Sequence, residues 1–375
     1  MKRAVIHSAE DARRLARRNL PWMVFDYIDG AAGNESGALR NRKALDNVLL
    51  HPRILRDVSQ RSLSSEIFGT STERPFGIAP MGMCNLSAPG ADLMLARLAA
   101  RYSVPHGVST VASTPLEAII EAAQGHAWFQ LYFSGDGAGT FKLVERAKAA
   151  GYQTLVLTVD VPEVGRRPRE LRHGFTMPFR IGPRQFFDFA MHPRWSLTTL
   201  FRGRPQMANF LMPGFEFDRT ESRAKATWNT LAQLRDIWPG KLVVKGVLDV
   251  DDAKSLVAAG VDAIQVSSHG ARQLEAAPSP INILSIIRNE LGPNFPVLFD
   301  SGIRSGEDIL KALKCGADFV FVGRILQFAI AARGEKGLDA LWDVLSSELS
   351  AAMAQTGITS LNARDLRPNT IQAPD

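Results

Sequence analysis

The chain has 375 residues with ordinary shares of apolar (45%) and charged (22%) positions, which excludes a disordered or fibrous polypeptide and leaves material for a large core. Its two cysteines, Cys84 and Cys315, lie far apart and outside any CxxC pair, so neither a disulfide framework nor a structural zinc site is expected and a reducing compartment fits. The net charge of +6 and pI near 9.5 fit nucleic acid, an anionic lipid surface or anionic small molecules, but the excess is local: nine arginines between Arg166 and Arg204 face only Glu170 and Asp188.

In chain order, residues 1–70 read as a helical extension whose basic side chains (Arg13, Arg14, Arg17, Arg18) precede no apolar stretch of signal-peptide length. With no run of about 18 apolar residues anywhere, a cytoplasmic protein is expected. From residue 71 onward, short β-branched apolar runs alternate with helix-like stretches, as in parallel βαβ units. The runs are 76–79, 105–109, 127–131, 154–159, 242–244, 263–266, 296–299 and 319–322. Eight such units predict an α/β fold, a (β/α)8 TIM barrel of about 250 residues. Helix stops at Gly151, Gly260 and Gly316 support the spacing. About 80 residues separate the fourth and fifth runs against about 20 to 35 elsewhere. The expected organisation is therefore a single domain over 1–375, with the barrel at 71–365 and an Arg- and aromatic-rich insertion at 161–228 after the fourth strand.

In such barrels, chemistry sits at the C-terminal ends of the strands. There the sequence places Met81-Gly82, Ser109-Thr110, Gln130, Tyr132, Thr158, Asp160, Lys245, Ser267-Ser268-His269, Asp300, Arg304 and Gly323-Arg324. Charges aimed into a common mouth are costly unless paired or liganded. His269 is either a general base or a hydrogen-bonded structural residue. Asp160 could orient that imidazole or cap a helix. Arg272 could hold a substrate carboxylate or form a surface ion pair. Lys245 suits either stabilisation of an anionic cofactor or Schiff-base chemistry. Asp300-Ser301-Gly302-Ile303-Arg304 and Gly323-Arg324 stand where barrels hold phosphate.

These residues, in order from Phe25-Asp26-Tyr27-Ile28-Asp29-Gly30 through Leu157-Thr158-Val159-Asp160 to His269-Gly270-Ala271-Arg272-Gln273-Leu274 and Val322-Gly323-Arg324, resemble the FMN-dependent α-hydroxy acid dehydrogenase and oxidase family, which includes glycolate oxidase, membrane L-lactate dehydrogenase and mandelate dehydrogenase. The resemblance implies FMN as cofactor and oxidation of an L-2-hydroxy acid to the 2-oxo acid. It implies His269 as base, Asp160 as its partner, Arg272 and Arg167 as the carboxylate clamp, and Tyr27 and Tyr132 in the substrate shell. For FMN it implies contacts from Ala79, Pro80, Met81, Gly82, Ser109, Gln130, Thr158, Lys245 and Ser267, then Asp300, Gly302, Arg304, Gly323 and Arg324 toward the ribityl phosphate. A homotetramer is implied as well, and no metal.

Four departures stand out. Ser268 occupies the place of the family's usual Asn, Arg166 and Arg169 compete with Arg167 for the clamp, and Val111 suggests room for a substrate larger than glycolate. The Gly33-Asn34-Glu35-Ser36-Gly37 segment is also unusually glycine-rich. The insertion mixes arginines with Phe175, Phe179, Phe186, Phe187, Phe189, Trp195, Phe201 and Phe210, as interfacial segments do, so peripheral contact with the inner face of the membrane is expected alongside a lid role. Electrons then pass to a quinone or cytochrome, or to O2. The alternatives are an FMN barrel isomerase and a non-catalytic flavin-binding barrel; nucleic-acid binding is not expected.

Overall fold

The computed structural model describes residues 5–135, 137–175, 181–203, 205–211, 223–361 and 366; Phe179, Arg180 and Arg204 of the insertion, and the end of the expected barrel range, 362–365, lie outside them. Three helices come first: α1 (Ala9–Asn19), α2 (Trp22–Asp29) and α3 (Ser36–Asn47). α1 starts because the Ser8 hydroxyl accepts the Asp11 N–H, and it buries Ala9, Ala12 and Ala16 while Arg14, Arg17 and Arg18 face outward and Arg13 pairs with Asp29. The glycines at 33 and 37 have a packing cause. A Cβ on either would collide with Glu275, whose carboxylate accepts the Asn34 and Ser36 N–H groups and so pins this segment over the barrel mouth.

The barrel follows as β1 (Phe76–Met81), α4 (Ala91–Tyr102), β2 (His106–Ser109), α5 (Leu116–Ala122), β3 (Ala127–Tyr132), α6 (Ala138–Ala149) and β4 (Thr154–Thr158). The insertion carries α7 (Pro168–Arg172), α8 (Pro183–Met191) and α9 (Pro193–Arg202). The rhythm resumes with α10 (Trp228–Ile237), β5 (Lys241–Val247), α11 (Val250–Ala258), β6 (Ala263–Val266), α12 (Pro280–Leu291), β7 (Val297–Phe299), α13 (Gly306–Lys314), β8 (Phe319–Val322), α14 (Arg324–Arg333) and α15 (Glu335–Gln355). The eight strands are all parallel, and β8 pairs back onto β1 through Val320–Phe76 and Val322–Ile78 to close the barrel. Inward side chains including Trp128, Val156, Val243, Leu298 and Phe321 fill its interior, and a hairpin of 65–67 and 70–72 stops the bottom, where Phe68 packs 5.4 Å from Trp128.

Two strands run well past their expected ends: β1 continues beyond Ala79 to Met81, and β5 is the more consequential case. β5 continues past Val244 to Val247, with its register shifting between Lys245 and Val247. Gly246 makes this possible: its φ is +106°, and a Cβ there would lie 2.5 Å from that of Asp160. The kink thus lets the carboxylate after β4 press against the strand carrying Lys245.

The insertion is also less uniform than its composition implies. Phe175, Trp195 and Phe210 are core residues, and the Trp195 indole donates to the Leu86 carbonyl at 2.8 Å. Asp188 anchors α8 by accepting the Trp22 and Met23 N–H groups. Phe186, Phe187, Met191, Leu197, Leu200 and Phe201 remain exposed.

Candidate active site

The C-terminal ends of the strands open into a cavity of about 780 Å³. Tyr27, Tyr132, Arg167, Arg272 and His269 line one part of it; Ala79 to Gly82, Gln130, Thr158 and Lys245 line the floor; Asp300, Gly302, Arg304, Gly323 and Arg324 line the other end. Asp160, Ser109 and Ser267 stand behind that wall and support it. The Ser109 hydroxyl donates to Gln130 Oε1 at 3.2 Å, and Ser267 Oγ accepts from Lys245 Nζ at 2.8 Å.

At the first end, His269 Nδ1 lies 3.0 Å from Asp160 Oδ1, while its Nε2 lies 3.3 Å from the Tyr132 hydroxyl. An ionised Asp160 accepts the hydrogen bond of the Nδ1–H, so the lone pair of the neutral ring sits on Nε2, toward Tyr132 and the cavity. Burial is the largest influence on His269 and holds its pKa below the usual imidazole value, although Asp160 pulls the other way. Burial pushes the Asp160 carboxyl up, but the charges of His269 and Lys245 outweigh it and the group lies below the ordinary range. The Tyr132 phenol is held protonated, chiefly by burial.

The clamp arginines meet on one carboxylate. Glu170 Oε1 accepts from Arg272 Nη2 at 2.8 Å and lies 3.3 Å from Arg167 Nε. Arg272 also donates to the Tyr27 and Gly30 carbonyls and packs over the Tyr27 ring. Of the competing arginines, Arg166 is exposed, and Arg169 is engaged by Asp26, Asp29 and Glu35. Glu170 was legible only as an odd acid among arginines. Arg223, which sequence reasoning passed over, lines the cavity with its guanidinium 4.9 Å over the Tyr132 ring. Ser268 turns away toward α3, where its hydroxyl accepts from Asn41 Nδ2 at 2.8 Å.

The other end is different in kind. Among the described residues no acid forms an ion pair with the guanidinium of Arg304 or Arg324, although Arg324 Nη2 donates to the Gly270 carbonyl at 3.0 Å. Burial, then the neighbouring charges of Arg304 and Arg272, push Arg324 down to about 9, and burial lowers Arg304 too. Two neighbouring half-buried cations, Arg304 ahead of α13 and Arg324 at the start of α14, call for an anion. On the floor, Gln130 Nε2 and Thr158 Oγ1 are buried without a hydrogen-bond partner among the described residues, although both residues line the cavity. A phosphate at one end and a polar ring edge along the floor are what FMN carries, so these residues fit it.

The comparisons agree with that geometry. A family model described as FMN-dependent dehydrogenase matches residues 16–372. (S)-mandelate dehydrogenase of Pseudomonas putida is 39% identical over 368 residues, covering 95% of this chain and 93% of the relative. L-lactate dehydrogenase of Vibrio parahaemolyticus is 36% identical over 372 residues, covering 95% and 97%. Among solved structures, monotopic membrane protein (S)-mandelate dehydrogenase superposes with a TM-score of 0.91 at 37% identity, covering 96% of this chain and 97% of the other. A mandelate oxidase variant with (S)-mandelic acid gives 0.84 at 36%, covering 97% and 98%.

Proposed function

The chain belongs to the FMN-dependent dehydrogenase family and is an oxidoreductase acting on the CH–OH of a 2-hydroxy acid; from that premise we propose that its substrate is an L-2-hydroxy acid with a side chain larger than methyl, that His269 is its base, and that Arg167 and Arg272 hold its carboxylate. The observation that carries the reading is the imidazole held between Asp160 and Tyr132 at the cavity wall. Val111, Val161 and Val164 line the same cavity and offer an apolar surface for an alkyl or aryl side chain. Mandelate enzymes among the relatives lend support.

The work of each residue follows. Bidentate arginine contacts to the carboxylate fix which face of C2 meets His269. Nε2 takes a proton, from C2 or from the hydroxyl, and Asp160 stabilises the imidazolium that results. The Tyr132 hydroxyl, protonated throughout, donates toward the substrate oxygen. FMN, when bound, would supply the acceptor for the electron pair that leaves C2 and for the second of the two protons lost. Arg304 and Arg324 would hold its phosphate, and Gln130, Thr158 and Lys245 the polar edge of its ring.

The exposed apolar residues of α8 and α9, with Phe187 at 69% and Phe201 at 82%, alternate with Arg184, Arg194 and Arg202 on helices anchored to the body by Asp188 and Trp195. That combination supports peripheral docking on the inner face of an anionic membrane, with a quinone or cytochrome rather than O2 as acceptor. We take the working unit to be a homotetramer of single-domain chains, which light scattering reads directly.

The deciding experiment is the anaerobic absorbance of the FMN-loaded protein on adding L-lactate, L-mandelate and longer L-2-hydroxy acids singly. Bleaching is expected fastest with a bulky substrate, and slow recovery in air marks a dehydrogenase. Faster bleaching by lactate than by any larger acid defeats the size assignment. No bleaching by the whole panel defeats the substrate class and leaves an isomerase or a non-catalytic barrel.

A further inference from the structure

His269 sits in a turn that L-residues rarely adopt: φ is +55° at His269, +64° at Gly270 and +61° at Ala271. Besides backbone bonds and the Arg324 guanidinium on the Gly270 carbonyl, two hydroxyls hold three successive N–H groups of this turn. Ser267 Oγ accepts the His269 N–H at 3.0 Å, and Ser301 Oγ accepts both flanking groups, the Ser268 and Gly270 N–H, at 3.1 Å each. Ser301 Oγ also donates to Asp300 Oδ1 at 2.8 Å. The second Asp300 oxygen lies 3.3 Å from Lys245 Nζ, which in turn donates to Ser267 Oγ. The network is therefore closed around the histidine.

Ser301 itself is strained. Its φ is +87°, in the region that favours glycine, and it is a buried serine. Such a conformation persists where the surroundings over-determine it, and it concentrates at functional sites. Its hydroxyl makes one donated and two accepted hydrogen bonds, which is the full capacity of the group. Nothing remains of it for cofactor or substrate, so whatever it contributes passes through the turn.

We propose that Ser301 is a positioning residue: its strained backbone places one hydroxyl where it ties the turn bearing His269 to the Lys245–Asp300 pair. The inference rests on His269 being the base. Its chemistry is that of a hydroxyl fixing two amides, with no covalent step. Glycine would suit the backbone better and be the worse residue for turnover.

The test compares Ser301→Gly, Ser301→Ala and the unaltered chain. Glycine removes the strain and the hydroxyl; alanine removes the hydroxyl alone. With FMN bound, both variants are expected to lose about 10- to 100-fold in kcat with KM changed less than about threefold, because carboxylate binding is untouched. The acid limb of kcat/KM moves upward in both as the imidazole gains water. Without FMN, Ser301→Gly melts above Ser301→Ala. Turnover by Ser301→Gly within about twofold of the unaltered chain with the same pH profile, or losses that merely follow melting temperature, would overturn the proposal. If the unaltered chain oxidises no 2-hydroxy acid, the functional reading fails instead. The melting order then judges the strain, and Ser301→Gly melting below Ser301→Ala overturns it.

Discussion

The two ends of the cavity hold their charges in opposite ways. Around His269 and along the floor that leads from it the ionisable groups are matched inside the protein: the imidazole with Asp160, Arg272 with Glu170, and Lys245 on the floor with Asp300, which reaches back from the far end. Around Arg324 they are not, and the charge of Arg304, ahead of α13, acts unfavourably on the guanidinium at the start of α14. The matched end keeps its geometry whether or not anything is bound, which is what proton transfer needs. The unmatched end stores unfavourable charge that only a bound anion relieves, which is what retention of a phosphate-bearing cofactor needs. Chemistry and anchorage are thus separable in this barrel, and variants at one end should leave the other largely intact.

The largest effect belongs to the matched end. His269→Gln removes the base while preserving much of the shape, and kcat is expected to fall by about 10²–10⁴-fold with FMN still bound. Stopped-flow bleaching and the flavin absorbance of the dialysed protein read the two quantities separately. Loss of flavin together with turnover would break the division between the ends.

The reciprocal variant is Arg324→Met. FMN affinity should fall by about 10- to 100-fold, the loss of a charge-assisted phosphate contact of roughly 1.5–3 kcal/mol. The flavin-free protein should melt close to the unaltered chain, because a cation with no acid partner is removed together with its hydrogen bond to the Gly270 carbonyl. Equilibrium dialysis and melting of the apo protein test it, and a strongly destabilised apo protein would show that Arg324 is matched after all.

Glu170→Gln sharpens the comparison inside the matched end. Glu170 joins Arg272 and Arg167 on one oxygen, so a neutral amide should loosen the clamp and raise KM about tenfold, or 1.4 kcal/mol, with a smaller change in kcat. Steady-state kinetics with a monocarboxylate and its amide distinguish this from general damage, since the amide should be indifferent to the change.

The unequal legibility of these features in the sequence has physical reasons. Barrel strands are buried on both faces, so runs such as 296–299 and 319–322 stand out as unbroken apolar stretches, and the strand-end rule then leads to His269, Lys245 and Arg324. β5 was read too short because Lys245 and Gly246 interrupt its apolar run, and only the +106° φ of Gly246 shows that the ladder continues through a kink. The aromatic residues of the insertion look alike in composition, but burial separates Trp195 and Phe175 from Phe187 and Phe201. Ser301 was least visible. Its part depends on a positive φ and on amides about 30 positions earlier in the chain, and neither leaves a periodic signal.

The smallest expected effect is a displacement along the pH axis, and its sign follows from burial. His269 serves as a base only when unprotonated. Burial holds its pKa below the ordinary value of about 6.5, so the acid limb of kcat/KM should lie below that value, and turnover should persist in mildly acidic buffer. The limb should vanish in His269→Gln. Asp160 opposes burial by favouring the imidazolium, so Asp160→Asn should move the limb further toward acid while lowering kcat, since the same charge that raises the pKa stabilises the protonated ring formed during the reaction. A limb above the ordinary imidazole value would mean that Asp160, not burial, dominates at the matched end. A limb unmoved by Asp160→Asn would mean that another group titrates there.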